Sequence, residues 1–402
     1  MVKSVREQVL EQIKPKEDVL KIVETVVSLL KKACNADVRV GGSIAKQTYL
    51  ANDYDCDIFV RYGSDDKDLS ELLEADLKKT PFSFQRVHGS RDYFQTVYQG
   101  VAFEFIPVKH ITKPEQAQNV TDMSVFHVDW ISPKLNDTLR DDIRLLKQFC
   151  KAQRVYGAES YIGGFSGHIL DILVIYYGGF EAVLQASKTW KQGGTIDIEK
   201  HMAKNFNADK LHSPLIIVDP VDPSRNAATG LANDCFSRFQ KHANAYLQNP
   251  SVDFFVKTPL SELAPKSLCY FFQFTPVPGK VDVSGAKVKK AIEFVLKNIS
   301  EFGPHDFLWD YQEKTGFFSV KTPLLSKTKT VQGPPLNKTQ HVEAFVAQHE
   351  QTYEQDGRVF ATVKRDFFRI EDALEYFCQS TYVKERVVSL TWQKAQNRNE
   401  ST

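Results

Sequence analysis

Residues 41–60 read GGSIAKQTYLANDYDCDIFV, and this stretch decides the fold. A β-like run, VRVGG, leads into Gly42 and Ser43, and a short helical stretch follows. A second β-like run then carries Asp55 and Asp57 with Cys56 between them. Side chains in a strand alternate faces, so residues two apart lie on one side, roughly 6.5–7 Å apart at the backbone. Asp55 and Asp57 are therefore expected to point together, with Cys56 and Ile58 turned into the core. Two carboxylates so placed can bridge two divalent cations about 3.5–4 Å apart, an arrangement that drives in-line displacement at phosphorus. Gly42 lets the backbone approach a phosphate, and Ser43 can donate to it. Most Asp-x-Asp pairs sit on solvated turns. Here Ile58, Phe59 and Val60 follow, which places the pair on a buried strand, where unpaired carboxylates are costly.

Downstream, VAFEFIPV at 101–108 reads as another strand, with Ala102, Glu104 and Ile106 on one face and Phe103, Phe105 and Pro107 on the other. An acid in an otherwise apolar strand is either an edge residue facing water or a metal ligand. With the Asp pair nearby in a small sheet, Glu104 becomes a candidate third carboxylate.

The whole-chain properties bound what surrounds this site. At 402 residues the chain is too long for one compact core, so two to four domains are expected. Its 51 basic and 50 acidic residues balance, so a nucleic-acid surface must be a local patch. The six cysteines, at 34, 56, 150, 235, 269 and 378, are scattered and form no Cys-x-x-Cys pair. That argues for reduced thiols in a cytoplasmic protein and against a zinc site. The start, MVKSVREQVLEQIKPKEDVL, reads as a polar amphipathic helix, so no signal peptide is expected there. The most apolar segment, Phe165 to Phe180, is interrupted by Gly167, His168, Asp171 and Gly178-Gly179 and is expected to be a buried helix, with no membrane span.

Residues 2–34 predict one or two helices broken at Pro15. A helix is expected over 66–79, strands over 82–87 and 93–98, and a strongly amphipathic helix over 137–154. A second, mostly helical unit extends through a helix at 231–248, and composition shifts near Asn249-Pro250. From Thr258 strands and helices alternate in an α+β unit, and the Lys/Thr/Pro-rich stretch at 321–338 reads as a surface loop. A helix at 339–350, a strand at 358–363 and a helix at 371–378 complete that unit. The end, NRNEST, is expected to be disordered.

Gly-Ser, a spacer and Asp-x-Asp together resemble the polymerase-β-type nucleotidyltransferase superfamily. The likeness sharpens with GSIAK at 42–46, DCDIF at 55–59, LLKQFCK at 145–151, VYGAE at 155–159, GFSGHILDILVIYYGGF at 164–180, VDPVDPSRNAA at 218–228 and VQGPP at 331–335. In that order they resemble the archaeal-type, class I CCA-adding enzymes, the tRNA nucleotidyltransferases, from Val38 to about Val383. The resemblance implies an α/β and α+β multidomain chain. A nucleotidyltransferase head, or palm, would occupy 1–136, a helical nucleotide-binding neck 137–257, and a tRNA-binding α+β body and tail 258–402. It implies template-independent addition of C, C and A to tRNA from CTP and ATP, with Mg²⁺ held by Asp55, Asp57 and Glu104. It further implies nucleotide contacts from Gly42, Ser43, Lys46, His127, Lys147 and Tyr156, and base reading by Arg225. A homodimer is admitted and no membrane is involved.

The chain departs from the family pattern where Glu104 stands for the usual Asp and where Ser124-Val125 stand for Thr-Pro, and Lys46 replaces the Arg of some members, losing its bidentate geometry. Read without the family, Lys147 follows Leu146 at the wet edge of an amphipathic helix, a position that ordinarily only keeps a face solvated. His127 would ordinarily be a packed core histidine, and Tyr156 a packed ring with its hydroxyl bonded. For Phe271, Phe272 and Tyr311, core packing outweighs an RNA-stacking role. Lys364 and Arg365 are the candidate basic grips on the tRNA backbone. The rival readings are a poly(A) polymerase, a split CC- or A-adding enzyme, and a catalytically dead RNA-binding protein.

Overall fold

The computed structural model describes residues 3–15, 19–51, 53–63, 68–89, 91–201, 212–265 and 268–395. The chain divides into two compact units, Met1–Lys257 and Thr258–Thr402.

The first unit opens with helices α1 (Val5–Ile13) and α2 (Val19–Ala33). Ser4 caps α1 in a reciprocal pair with Glu7, which satisfies two backbone donors at the helix start. A twisted five-stranded sheet follows, ordered β1-β2-β5-β4-β3. Its strands are β1 (Asp37–Val40), β2 (Cys56–Tyr62), β3 (Gln85–Val87), β4 (Tyr93–Tyr98) and β5 (Val101–Lys109). The short helix α3 (Gly42–Lys46) links β1 to β2, and α4 (Leu69–Leu77), capped by Asp68, links β2 to β3. One face of the sheet is closed by α2 and α4. Val23, Val26, Leu30, Leu73 and Leu77 pack there against Cys56, Ile58, Val60, Phe103 and Phe105. The opposite face carries Asp57 and Glu104, and further along the same two strands Phe59, Ile106 and Val108 pack with Val125.

Helix α5 (Ser124–Ile131) leads to the second layer of the unit. That layer contains α6 (Asp137–Ala152), α7 (Gly167–Tyr177), α8 (Phe180–Ser187), the small parallel pair β6 (Gly194–Ile196) and β7 (Leu215–Ile217), and α9 (Asn233–Gln248). Its core is built from Ile143, Leu146, Phe149, Ile169, Leu173, Phe239 and Tyr246. Val9 and Ile13 belong to this helical core and not to the core of the sheet, so α1 packs with the second layer. The physical cause is the break after α1, which frees its apolar stripe to pack on α6. Of the segment Phe165 to Phe180, α7 buries Ile169 to Val174, whereas Tyr176 is exposed and Gly178-Gly179 end the helix before Phe180 opens α8. Among the described residues no single helix is long and apolar enough to cross a membrane.

The second unit begins with α10 (Leu260–Leu263) and builds a four-stranded sheet ordered β14-β8-β10-β9. Its strands are β8 (Cys269–Pro276), β9 (Pro304–Asp310), β10 (Thr315–Val320) and β14 (Val387–Lys394). Helices α11 (Val281–Asn298), α13 (Ile370–Cys378) and α14 (Thr381–Lys384) cover one side. Phe272 is buried in that core and Tyr311 packs partly buried against it, while Phe271 packs partly buried with Leu260, Cys269 and Phe317 in a separate cluster. A three-stranded sheet ordered β11-β13-β12 carries α12 (Thr339–Gln348). Its strands are β11 (Thr328–Pro335), β12 (Thr352–Gln355) and β13 (Arg358–Lys364).

The strand β11 corrects the surface-loop expectation for 321–338. Thr328, Thr330 and Gln332 alternate with Lys329 and Val331 and pair in register with β13, from Thr328↔Lys364 to Gln332↔Phe360. Proline and lysine are tolerated there because β11 is an edge strand. The strands β12 and β14 were not expected from sequence. The expectation for NRNEST lies outside the described residues.

Candidate active site

Antiparallel β1 and parallel β5 flank β2, so its residues pair on both sides. The β2–β5 register sets Asp57 directly opposite Glu104. Cys56 and Ile58 are fully buried beneath, as alternation requires, and Asp55 is exposed one residue before the strand. Gln95, which pairs with Glu104 across β4, donates from Nε2 to Glu104 Oε1 at 2.8 Å and orients it. Burial pushes the Asp57 carboxyl up to about 7, and the negative charges of Glu104 and Asp55 push it the same way, while Lys46 opposes them. Asp57 opposite Glu104, with Asp55 near enough for its charge to repel, is a carboxyl set suited to a divalent cation. An all-oxygen donor set favours a hard one.

The loop before α3 is shaped around Asp57. The Gly41 N–H donates to the Asp57 carbonyl at 2.8 Å. Gly42 has φ +57°, and a Cβ on it would lie 2.0 Å from Asp57 Oδ2. No other residue fits, since an L side chain would be both strained and in collision. Helix α3 then stops at Gln47, which is left-handed at φ 53°.

Three cations on one face of α6, spaced i, i+4 and i+7, grip the carbonyls that follow. Arg140 Nε donates to the Lys46 carbonyl at 3.3 Å, and Arg144 donates to those of Gln47 and, at 3.1 Å, Tyr49. Lys147 Nζ donates to the Thr48 carbonyl and hydroxyl, each at 3.0 Å. Lys147 is thus buried, not at a wet edge; the surface expected to be solvent is occupied by residues 46–49. Burial pushes its ammonium down to about 8, with Lys46, Arg144 and Lys151 adding to the fall and Asp171 resisting it. Lys46 pairs with Asp171 of α7, a carboxylate with no solvent exposure.

The motifs VYGAE and GFSG form one structure. Tyr156 bridges Phe165, with Phe165 N–H donating to the Val155 carbonyl at 2.7 Å and Gly157 N–H to the Phe165 carbonyl at 2.9 Å. The Tyr156 ring lies under Lys151 Nζ at 4.4 Å, and burial raises its phenol. Gly167 opens α7 where a Cβ would come within 3.2 Å of the Tyr156 hydroxyl and 3.7 Å of Lys147 Cε.

VDPVDPSRN is likewise a closed loop. Asp219 N–H donates to the Arg225 carbonyl at 3.0 Å, and Asn226 Oδ1 accepts from the Ile217 and Ala228 amides. The buried Asp219 carboxylate gathers three cationic or protonatable groups. Arg225 Nη1 donates to Oδ2 at 3.0 Å, His127 Nε2 lies 3.0 Å from the same oxygen, and His168 Nε2 lies 3.5 Å away. Burial alone would raise the Asp219 carboxyl, but the two histidines hold it well below the usual carboxylate range. Burial also lowers His168. Ligand atoms of His127, His168 and Asp219 fall within 4.8 Å of one another, a spacing a metal could use. The Arg225 guanidinium on the same oxygen disfavours a second cation there.

The structure therefore pairs Asp57 with Glu104, sets Lys46 and Lys147 against internal partners, and joins His127 to Arg225 through one carboxylate. Ser43 lies on the first turn of α3, next to Gly42. Sequence reasoning missed Asp171, Asp219, His168, Arg140 and Arg144. Asp171 carried the signal that singled out Glu104, an acid within an apolar run.

The family profile described as tRNA nucleotidyltransferase, second domain, matches residues 141–256. The chain is 33% identical over 375 residues to a CCA-adding enzyme of Nanoarchaeum equitans, covering 89% of this chain and 92% of that one. It is 28% identical to CCA-adding enzymes of Methanothermobacter thermautotrophicus (87% and 83% covered) and Methanocaldococcus jannaschii (92% and 89% covered). A solved structure of Cid1 with its short product ApU superposes with TM-score 0.50 at 13% identity, covering 63% of this chain and 97% of that one, and shows the fold alone.

Proposed function

The chain belongs to the CCA-adding enzymes, on a polymerase-β-like nucleotidyltransferase fold, and from that premise we propose which of its residues carry the reaction. Its activity is that of a tRNA nucleotidyltransferase: it extends the tRNA 3′ end with nucleotides, using divalent metal. In this reading CTP and ATP are the nucleotides, Mg²⁺ is the metal, and C, C and A are added without a nucleic-acid template. The observation that carries the site assignment is the β2–β5 register, which aligns Asp57 with Glu104 beside a glycine that only Asp57 requires.

Asp55, Asp57 and Glu104 would hold Mg²⁺. When bound, the metal supplies charge for the attacking 3′-hydroxyl and the leaving pyrophosphate. Glu104, held by Gln95, reaches one methylene further than the Asp usual at this position. Ser43 and the Gly42 backbone lie where a phosphate can approach α3. Lys46, Lys147, His127 and Tyr156 surround the triphosphate, about four negative charges of which must be met beyond the metal. Arg225 presents a planar fork to the incoming base, and Asp219 fixes its direction. The head, neck, and body and tail correspond to 1–136, 137–257 and 258–402, with α1 seated in the neck. A homodimer belongs to this reading as well.

The test is a tRNA lacking its 3′ end, incubated with CTP, ATP and Mg²⁺ and sequenced. Extension by C, C and A and then a stop is expected. A run of A residues would indicate a poly(A) polymerase, a stop after CC a split enzyme, and no extension a dead palm. Asp57→Ala is expected to lower turnover at least about a thousandfold while tRNA affinity holds. Retention of more than roughly a tenth of turnover would remove the metal assignment.

A further inference from the structure

The two lysines assigned to the triphosphate are both engaged inside the protein. Lys46 pairs with Asp171, and Lys147 donates to Thr48. Asp171 lies in the middle of the most apolar helix, between Leu170 and Ile172, with no solvent exposure. One of its oxygens takes Lys46; the other, Oδ1, is buried and has no hydrogen-bond partner. A carboxylate in that position costs several kcal/mol unless something compensates it. Leucine-rich packing would fill the same volume with no such penalty, so the charge serves something other than the core.

We propose that Asp171 is a positioning residue: its buried carboxylate stands in for the nucleotide's phosphate, holding Lys46 in place and keeping a negative charge beside Lys147 until the triphosphate takes them over. The inference rests on the assignment of both lysines to the triphosphate. It explains the half-satisfied carboxylate, because a group that must release Lys46 cannot be locked by a full set of donors. It also explains how Lys147 stays cationic although enclosed. Facing it are Lys46 from α3, Arg144 and Lys151 from its own helix, Asp171 from α7, and the Tyr156 hydroxyl across Gly167. Asp171 is the one anion among those neighbours.

The sign of the pH effect follows. Activity toward nucleotide needs the charged form of Lys147, so kcat/KM falls on the alkaline side as that ammonium loses its proton. Removing Asp171 makes the proton leave earlier. Removing Lys46 takes away a repelling cation and leaves Asp171 facing Lys147 alone, so the proton leaves later.

The experiment measures kcat and KM for CTP and ATP between pH 6 and 10 in the full chain and its variants. Asp171→Asn should move the alkaline limb of kcat/KM down by about one pH unit and raise the nucleotide KM about fivefold at pH 8, for both nucleotides. Asp171→Glu should return the limb to its wild-type position. Lys46→Met should move the limb up, whatever it does to KM, and so decides the question even if Asp171→Asn fails to fold. A limb that stays put in the folded variants, or moves the same way in both, overturns the proposal. If Lys46→Ala and Lys147→Ala both leave the nucleotide KM unchanged, the triphosphate assignment itself has failed. If they raise KM while the limb ignores Asp171, only the stand-in role has failed.

Discussion

At the scale of single residues, position is decided by what a side chain would strike. Gly42 shows this most directly. Alanine there is strained by about 1–2 kcal/mol and its Cβ would collide with Asp57 Oδ2. Asp57 would have to move, and if it holds metal as proposed, a displacement of about 1 Å costs on the order of a hundredfold. Gly42→Ala is therefore expected to lower kcat about a hundredfold while thermal melting shifts by only a few degrees. A variant with near-wild-type kcat would show that Asp57 has room the structure does not give it. Arg225 is expected to act differently. Arg225→Ala should blur the choice of nucleotide, because bidentate contacts to a base edge discriminate by about 1–3 kcal/mol. Equal losses for all four nucleotides, with selectivity kept, would count against base reading.

At the scale of elements, α6 is the part that ties chemistry to scaffold. Arg140, Arg144 and Lys147 share one face and satisfy four successive carbonyls, from Lys46 to Tyr49, at the end of α3. Backbone groups at a helix end need partners, and here the partners are side chains of another helix. Arg144 is buried and also pairs with Asp141 at 2.6 Å. Arg144→Met is expected to lower unfolding free energy by about 1–3 kcal/mol, the cost of leaving a buried acceptor unpaired. The loosened 46–49 segment should also raise the nucleotide KM. Denaturant unfolding and steady-state kinetics on one preparation check both effects. Loss of stability without any change in KM would make the grip purely structural.

At the scale of the molecule, the buried charges set how the protein responds to pH. Asp219 is held below its unfolded value by the histidines around it, despite burial. Its stabilising contribution is therefore full above the unfolded carboxyl pKa of about 4 and is lost as pH falls toward the folded value. Asp219→Asn should cost stability at pH 7, and the gap to wild type should close as pH drops from about 4 to 2. A gap constant over that window would mean that the Asp219 charge contributes nothing. Asp57 has the opposite sign. With its carboxyl raised to about 7, its contribution falls as pH rises from about 4 to 7. Asp57→Asn should accordingly melt several degrees higher than wild type at pH 8 without divalent metal, and added Mg²⁺ should narrow that difference. Equal melting temperatures in metal-free buffer would show that the carboxylates are not crowded.

Sequence by itself determined what short periods encode. Alternation around Asp57 and Glu104 placed both acids on one face, because neighbours in a strand must point to opposite sides. Apolar stripes marked α2, α6, α7 and α9, because a helix buries what recurs every three to four residues. The ordered motifs carried the family, and the comparisons agree with it. Only tertiary structure decided what long-range approach sets. Lys147 read as a solvated lysine because nothing in its own helix shows that residues 46–49 cover it. The partnership of Lys46 with Asp171 spans 125 positions, and that of His127 with Asp219 spans 92, so no local pattern records either. The strand β11 was hidden for the same reason: its lysines and prolines look like a loop until β13 lies beside them and supplies the hydrogen bonds. Side-chain chemistry is written in the chain, but which buried charge meets which is fixed only when the layers pack.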